Sequence, residues 1–262
     1  MPYALRGLTE YKKHLVKFFQ FASNNSDLYQ HVPRIAISAS QILTKLVGSN
    51  DRQWSFSISP LWEIPIEDPD QFGDYQASLL VGGIVYVEDS ALTNHSFSVC
   101  VSLYSPSLED TQRASHMNFD SAEGDYPLSC CGRMFQDKKR IARRFHFDID
   151  CETKSDKPTF HLQYGGKPSR NLLKDDIHYC LDPFIENPRI PYSPVNIVLL
   201  LDMLLREFDT PMGSKLIKEK DWKGLVRMSE KLLLKDYYVR MNSYFNESGG
   251  PTLCESLYGE NA

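Results

Sequence analysis

The sequence lacks a hydrophobic run long enough to cross a bilayer. Its longest apolar segment, Val195–Leu205, has eleven residues and includes Asn196 and Asp202, whereas a membrane-spanning helix needs roughly 18 or more apolar residues. The first residues, MPYALRGLTEYKKH, lack the apolar core of a signal peptide. We therefore expect a cytoplasmic protein with no membrane partner.

The common signatures of catalysis and cofactor binding are also missing. The chain has no G-x-x-x-x-G-K-[ST], G-x-G-x-x-G, G-x-S-x-G or H-E-x-x-H motif. This argues against a nucleotide-hydrolysing motor, a simple dinucleotide-dependent dehydrogenase and an α/β-hydrolase. The six cysteines form no C-x-x-C pair, and adjacent Cys130 and Cys131 do not suit a tetrahedral zinc site. No cofactor is therefore implied by these motifs.

The chain has little excess charge of either sign, and its overall composition is that of a globular protein. Apolar residues make up 42% of the 262 residues, charged residues make up 24%, and the net charge is −5. These values exclude a disordered chain and a small disulfide scaffold. Mild acidity argues against a protein that coats nucleic acid through its overall charge, but it leaves a local basic groove open.

The order of hydrophobic periods predicts an α+β fold with N-terminal helices, a central mainly antiparallel sheet of about five strands, and C-terminal helices packed on one face. We expect one domain over residues 1–245 and a flexible tail over 246–262. Within the domain, the predicted parts are N-terminal helices at 8–48, the sheet at 54–164 and C-terminal helices at 194–245. Residues 105–140 form a long polar excursion with weak periodicity.

Several local patterns refine this prediction. Ser38 and Gln41 fit a capping box at the start of the second helix, and Ser193-Pro194 reads as the start of a helix that runs to about Phe208. This helix is apolar nearly all round, so we expect it to be central, between the sheet and a final helix capped by Asp221. The pair Gly82-Gly83 predicts a bulge or a close backbone approach.

A predicted hairpin supplies the first candidate site. In both strands, Phe145–Ile149 and Phe160–Tyr164, polar residues alternate with apolar ones that must face the core. Pairing the strands therefore puts every polar side chain on one opposite face, either as an ordinary solvated face or as a site for a divalent metal or acid–base chemistry. The candidate catalytic residues are His146, Asp148, Asp150, His161 and Gln163, and the candidate metal ligands are Asp148 and His161.

A second candidate is the segment Asp150-Cys-Glu152-Thr-Lys154. Its acidic residues and lysine have the spacing found in the metal-binding core of many restriction-type nucleases. That chemistry needs the motif on a strand, whereas the sequence places it in a loop.

A third candidate is a basic run with five cations in seven residues. It could contact phosphates, or it could be a solvated strand entry or a docking surface for an acidic partner. The candidate nucleic-acid-binding residues are Lys138, Lys139, Arg140, Arg143 and Arg144.

Three separated segments resemble a group of uncharacterised bacterial proteins from mobile-element and antiviral-defence gene clusters. They are Phe160-His-Leu-Gln-Tyr-Gly-Gly166, Pro188-Arg-Ile-Pro-Tyr-Ser-Pro194 and Leu205-Arg-Glu-Phe208, within about residues 143–208. The resemblance implies a bacterial accessory or effector protein in a defence or toxin system. It implies no reaction.

Three functional hypotheses follow. The first is an accessory or interaction protein, a subunit or regulator with a protein partner, because the chain has 14 Tyr and 14 Phe and aromatics are enriched at interfaces. The second is a metal-dependent nuclease or phosphodiesterase on the hairpin face, with a divalent cation as cofactor. The third is non-catalytic nucleic-acid binding through residues 138–144. The sequence does not decide whether the protein is an enzyme.

Overall fold

The computed structural model describes residues 7–67, 76–104, 139–149, 160–164, 177–179 and 189–246. In these ranges the chain forms N-terminal helices, a mostly antiparallel sheet and C-terminal helices, so the α+β prediction is confirmed. The long excursion at 105–138 and the tail after Asn246 lie outside the described residues.

Three helices precede the sheet: α1 is Leu8–Asn24, α2 is Ser26–His31 and α3 is Pro33–Gly48. The Asn25 side chain accepts hydrogen bonds from the backbone N–H groups of Asp27 and Leu28 and thereby caps α2. The predicted capping box at Ser38 is wrong, because α3 already begins at Pro33, whose fixed φ and missing N–H suit the first helical turn.

Within the described ranges, seven strands form one sheet. Their order is β1-β2-β3-β4-β5-β7, with β6 pairing in parallel to the start of β4. The bounds are β1 Trp54–Ile66, β2 Gln76–Glu88, β3 Ala91–Tyr104, β4 Lys139–Ile149, β5 Phe160–Tyr164, β6 Ile177–Tyr179 and β7 Arg189–Pro191. The short strands β6 and β7 were missed because three residues carry too little periodicity to stand out in a sequence.

The two glycines of β2 mark a close approach. Gly83 pairs directly with Phe97 of β3, and a Cβ atom added at Gly83 would lie 2.1 Å from Cδ1 of the Phe97 ring. The β1–β2 register is irregular at the same place, as predicted: Ile58 pairs with Gly83 and Trp62 with Val81, so residues 59–61 of β1 lie opposite Gly82. Pro60 falls in that stretch and has no N–H to contribute to the ladder, which accounts for its position at a bulge.

The C-terminal helices are α4 Ile197–Glu207, α5 Gly213–Leu216, α6 Lys220–Ser229 and α7 Lys235–Asn246. A π-helical turn, Glu230–Leu234, joins α6 to α7. The predicted helix start at Ser193-Pro194 is wrong: Asn196 is the N-cap, and its side chain accepts from the backbone N–H of Leu199. The cap predicted at Asp221 is also displaced, because α6 has Glu219 as its N-cap residue.

One hydrophobic core unites the helices with the apolar face of the sheet. As predicted, α4 is central, with Ile197, Val198 and Leu200 fully buried, and the core also contains Phe147 and Trp222. Within the described ranges, no helix is long and apolar enough to cross a membrane.

Candidate active site

The candidate site lies on the face of the sheet opposite this core. We call it the outer face and define it by the alternate residues of β3, β4 and β5. Their register places His146 opposite Ser98 and Gln163, and it places Asp148 opposite Ser96 and His161. The hairpin prediction is therefore confirmed in strand direction and in pairing.

Asp148 is the centre of a cluster of polar side chains. Its Oδ2 atom lies 3.6 Å from Nδ1 of His146 and 3.6 Å from Nε2 of His161. His146 is two residues away on the same strand, and His161 is the direct cross-strand partner. One carboxylate thus orients two imidazole rings through two different ring nitrogens.

Arg144 extends the cluster along β4. Its Nη2 atom contacts Nε2 of His146. A guanidinium group only donates hydrogen bonds, so Nε2 of His146 is the acceptor and the ring proton lies on Nδ1, where it points at Asp148. We call the four residues Arg144, His146, Asp148 and His161 the Asp148 cluster.

The electrostatics keep Asp148 ionised. Burial alone would raise the pKa of Asp148, but hydrogen-bonding contacts with His146, His161 and Ser96 outweigh it. The pKa therefore lies well below the usual range of an aspartate. The other oxygen, Oδ1, is buried and has no hydrogen-bond partner within the described part of the chain.

The outer face is more buried than an ordinary solvated sheet face. Arg144 is 1% exposed and His161 is 5% exposed, whereas His146 and Asp148 retain 20% and 22% of their side-chain surface. Cys100, the register partner of Arg144, is also buried. Solvent or a ligand therefore reaches the cluster mainly from the side of His146 and Asp148.

The core face carries a further histidine behind the cluster. Tyr11 of α1 hydrogen-bonds Nε2 of His95 on β3 at 2.9 Å. Burial lowers the pKa of His95 to about 4, although the charge of Asp148 opposes this shift. His95 is therefore neutral at pH 7, and it is part of the core rather than of the candidate site.

The structure brings together part of the predicted site. His146, Asp148 and His161 form one cluster, while Gln163 lies beside it in register with His146. Asp150 and the segment with Glu152 lie outside the described residues.

The structure describes only one side chain of the predicted basic run, that of Arg144. Lys138 and the side chains of Lys139, Arg140 and Arg143 lie outside the described parts of the structure. Arg144 is buried beside His146 and so does not belong to an exposed basic patch.

Sequence reasoning missed two contributors to the site. Arg144 has the same strand parity as His146 and Asp148, so alternation alone would have placed it on the outer face. Ser96 belongs to β3, whose pairing with β4 across a long insertion was not predicted. Its signal was the regular Ser96, Ser98, Ser102 pattern opposite the apolar set.

The predicted metal ligands are only two. In the described ranges, no group of three or more His, Cys, Asp or Glu side chains could hold a metal ion. Arg144 also places a cation at His146, which opposes a metal ion at that ring and favours an anion.

Comparisons of the chain with protein families, with curated proteins and with solved structures found no match.

Proposed function

We propose that this chain is a phosphodiester-cleaving protein, a nuclease or phosphodiesterase, that acts at the Asp148 cluster. The observation that carries the proposal is the Asp148 carboxylate, 3.6 Å from one nitrogen of His146 and one nitrogen of His161. A carboxylate that holds an imidazole fixes the tautomer of the ring and stabilises the imidazolium that forms during general base catalysis.

The ring geometry supports one distribution of roles. His161 turns Nε2 toward Asp148, so its Nδ1 atom takes a proton from the attacking hydroxyl or water as that oxygen bonds to phosphorus. The bond from phosphorus to the leaving oxygen then breaks, and the His161 imidazolium returns its proton to that oxygen. The ionised Asp148 stabilises the charge that His161 carries between these two transfers. His146 is held in one tautomer between Asp148 and Arg144, and it acts as a positioning residue.

The charge of the cluster supports an anionic substrate. One carboxylate stands beside one guanidinium and two imidazoles, so protonation of either ring makes the cluster cationic. Arg144 is buried against His146, so its fixed positive charge favours an anion at the exposed side of the cluster without contacting it directly. A phosphodiester provides both the anion and the bond that acid–base chemistry can cleave.

The test is cleavage of single- and double-stranded DNA and RNA and of bis(p-nitrophenyl) phosphate by the purified chain. His161→Asn should lower the rate by about 100-fold or more, as expected for the loss of a general base. His31→Asn removes an exposed histidine at the end of α2 and should leave the rate unchanged. Absence of cleavage in every condition, or full activity of His161→Asn, would show that the proposal is wrong.

The cofactor requirement is decided in the same assay. Activity that survives a chelator would support acid–base catalysis by His161 without a metal ion. Activity that requires Mg²⁺ or Mn²⁺ would favour the metal-dependent hypothesis, in which Asp148 and His161 are ligands.

A second candidate is the accessory or interaction protein in a bacterial defence or toxin system, as the resemblance implies. Exposed apolar side chains on α7 favour it: Tyr238 is 58% exposed and Val239 is 56% exposed. Tyr238→Ser with Val239→Ser should abolish co-purification of a partner while leaving the melting temperature unchanged. Nuclease activity of the chain alone, lost in His161→Asn, would decide against this candidate.

A further inference from the structure

A second site is built on the helical side of the molecule, away from the Asp148 cluster. A groove of about 970 Å³ runs between α1 and α6. Lys13, His14, Lys17 and Phe21 line it from α1, and Leu225 and Met228 line it from α6. This volume lies at the upper end of the range for small-molecule sites.

A buried chain of hydrogen bonds lies beneath the groove. The Asn196 side-chain amide donates to Oγ of Ser229 at 3.0 Å, and Oγ of Ser229 lies 2.6 Å from Nε2 of His14. All three residues are at most 3% exposed. The amide nitrogen of Asn196 only donates, so within the described residues the acceptor in reach of the Ser229 hydroxyl proton is Nε2 of His14.

This arrangement fixes the tautomer of His14. With Nε2 as the acceptor, the ring proton lies on Nδ1. Burial, together with the charge of Lys17, lowers the pKa of His14 to about 4, so the ring is neutral at pH 7. Within the described ranges, Nδ1 has no hydrogen-bond partner. His14 is therefore a buried, unsatisfied N–H donor in the wall of a groove, an arrangement that is costly unless an acceptor binds.

The charges along the groove indicate where an anion would bind. Lys13 and Lys17 are exposed, stand one helical turn apart and flank His14. The acidic side chains Glu10, Glu219 and Asp221 also line the groove, and Glu219 is held by the side-chain amide of Asn25. An anionic group is therefore favoured beside the two lysines and disfavoured at the start of α6.

We propose that this groove binds a small molecule that carries a carboxylate or phosphate on an apolar body. The oxyanion would accept from His14 Nδ1–H and pair with Lys13 and Lys17. The apolar body would lie against Phe21, Leu225 and Met228. This site is separate from the Asp148 cluster and does not depend on the proposed phosphodiesterase activity.

The test uses benzoate and phenyl phosphate as probes, with uncharged benzamide for comparison. In ¹⁵N-histidine-labelled protein, His14 should be an Nδ1–H tautomer, and both anionic probes should shift its Nδ1 resonance. Lys13→Gln with Lys17→Gln should raise the dissociation constants of both probes about tenfold. The control pair, Lys45→Gln with Lys231→Gln, removes two exposed lysines elsewhere and should have no effect.

Three results would overturn the proposal. They are an unshifted His14 resonance with both anionic probes, an equal shift with benzamide, and unchanged affinity in the Lys13/Lys17 double variant. Each can be read without measuring phosphodiester cleavage, so failure at this groove is distinct from failure at the Asp148 cluster.

Discussion

Asp148 and His161 are direct cross-strand partners in the β4–β5 hairpin, and Oδ2 of Asp148 lies 3.6 Å from Nε2 of His161. The same residue, Asp148, is also paired with Ser96 on the other side, in β3. The carboxylate is therefore held from both neighbouring strands, so its position depends on the sheet rather than on a loop.

Asp148→Asn tests what this carboxylate does. The amide keeps the shape of the side chain but cannot stabilise an imidazolium, so cleavage should fall by roughly 10³-fold or more. The assay is bis(p-nitrophenyl) phosphate hydrolysis, with Asp209→Asn at an exposed position as the matched control. Wild-type rates in Asp148→Asn would show that the cluster serves only the fold.

The pH dependence of stability should show two windows. Burial lowers the pKa of His14 and of His95 from 6.5 to about 4. Between these values the unfolded state binds more protons, so the free energy of unfolding falls as the pH drops. Each histidine should account for about 3 kcal/mol of the loss. Denaturant titrations from pH 6.5 to about pH 4 measure this loss. In His14→Gln the free energy of unfolding should fall less steeply as the pH drops.

Asp148 contributes to the pH dependence of stability in a separate, more acidic range. Because its folded-state pKa is lowered, its contribution is complete above the ordinary aspartate pKa and is lost as the pH falls through the folded-state value. Asp148→Asn should remove this part of the acid sensitivity, and the histidine window should remain; because the Asp148 charge no longer opposes the shift, the pKa of His95 should fall somewhat further in this variant. An unchanged acid profile in that variant would contradict the lowered pKa.

Gly83→Ala should destabilise the sheet. The new methyl group would overlap the fully buried Phe97 ring, which would have to shift. We expect a loss of about 1–3 kcal/mol in the free energy of unfolding. Gly224→Ala is the matched control: nothing lies within 4 Å of its added Cβ, so it should stabilise α6 by about 0.5–1 kcal/mol. Equal effects of the two changes would refute the close approach.

Leu200 tests the central position of α4. It is fully buried, so Leu200→Ala should cost about 2–5 kcal/mol through lost burial and a cavity. Leu200→Asp should prevent folding, because a buried charge there has no partner. Val47→Ala, at a position that is 66% exposed, should change little. A cooperatively melting Leu200→Asp monomer would place α4 on the surface.

The sequence was most informative where periodicity and chemistry coincided. Strict alternation in Phe145–Ile149 and Phe160–Tyr164 predicted the hairpin, its faces and the His146, Asp148 and His161 cluster. The apolar composition of the segment after Pro194 likewise predicted a central helix. In each case, burial of one face dictates the arrangement, and burial can be read from residue types alone.

The sequence was least informative where distant segments meet. The burial of Arg144 depends on cover over the outer face, which no local pattern reveals. The pair His14 and Ser229 is 215 residues apart in the chain, so its hydrogen bond depends on the packing of α1 against α6. Two helix starts were predicted at the wrong residues, because Pro33 and Asn196 can begin a helix as well as Ser38 and Ser193 can. Tertiary packing decides between such candidates.

The two-sided burial of β3 has a consequence for how the molecule opens. Phe97, Val99 and Val101 face the core, Ser98, Cys100 and Ser102 are buried on the outer face, and both edges of the strand are paired. We therefore expect amide protons in this stretch to exchange only when the sheet as a whole opens, and to be among the slowest in the described part of the protein. Since β4 pairs with this strand, we expect the Asp148 cluster to be held in place until the sheet unfolds.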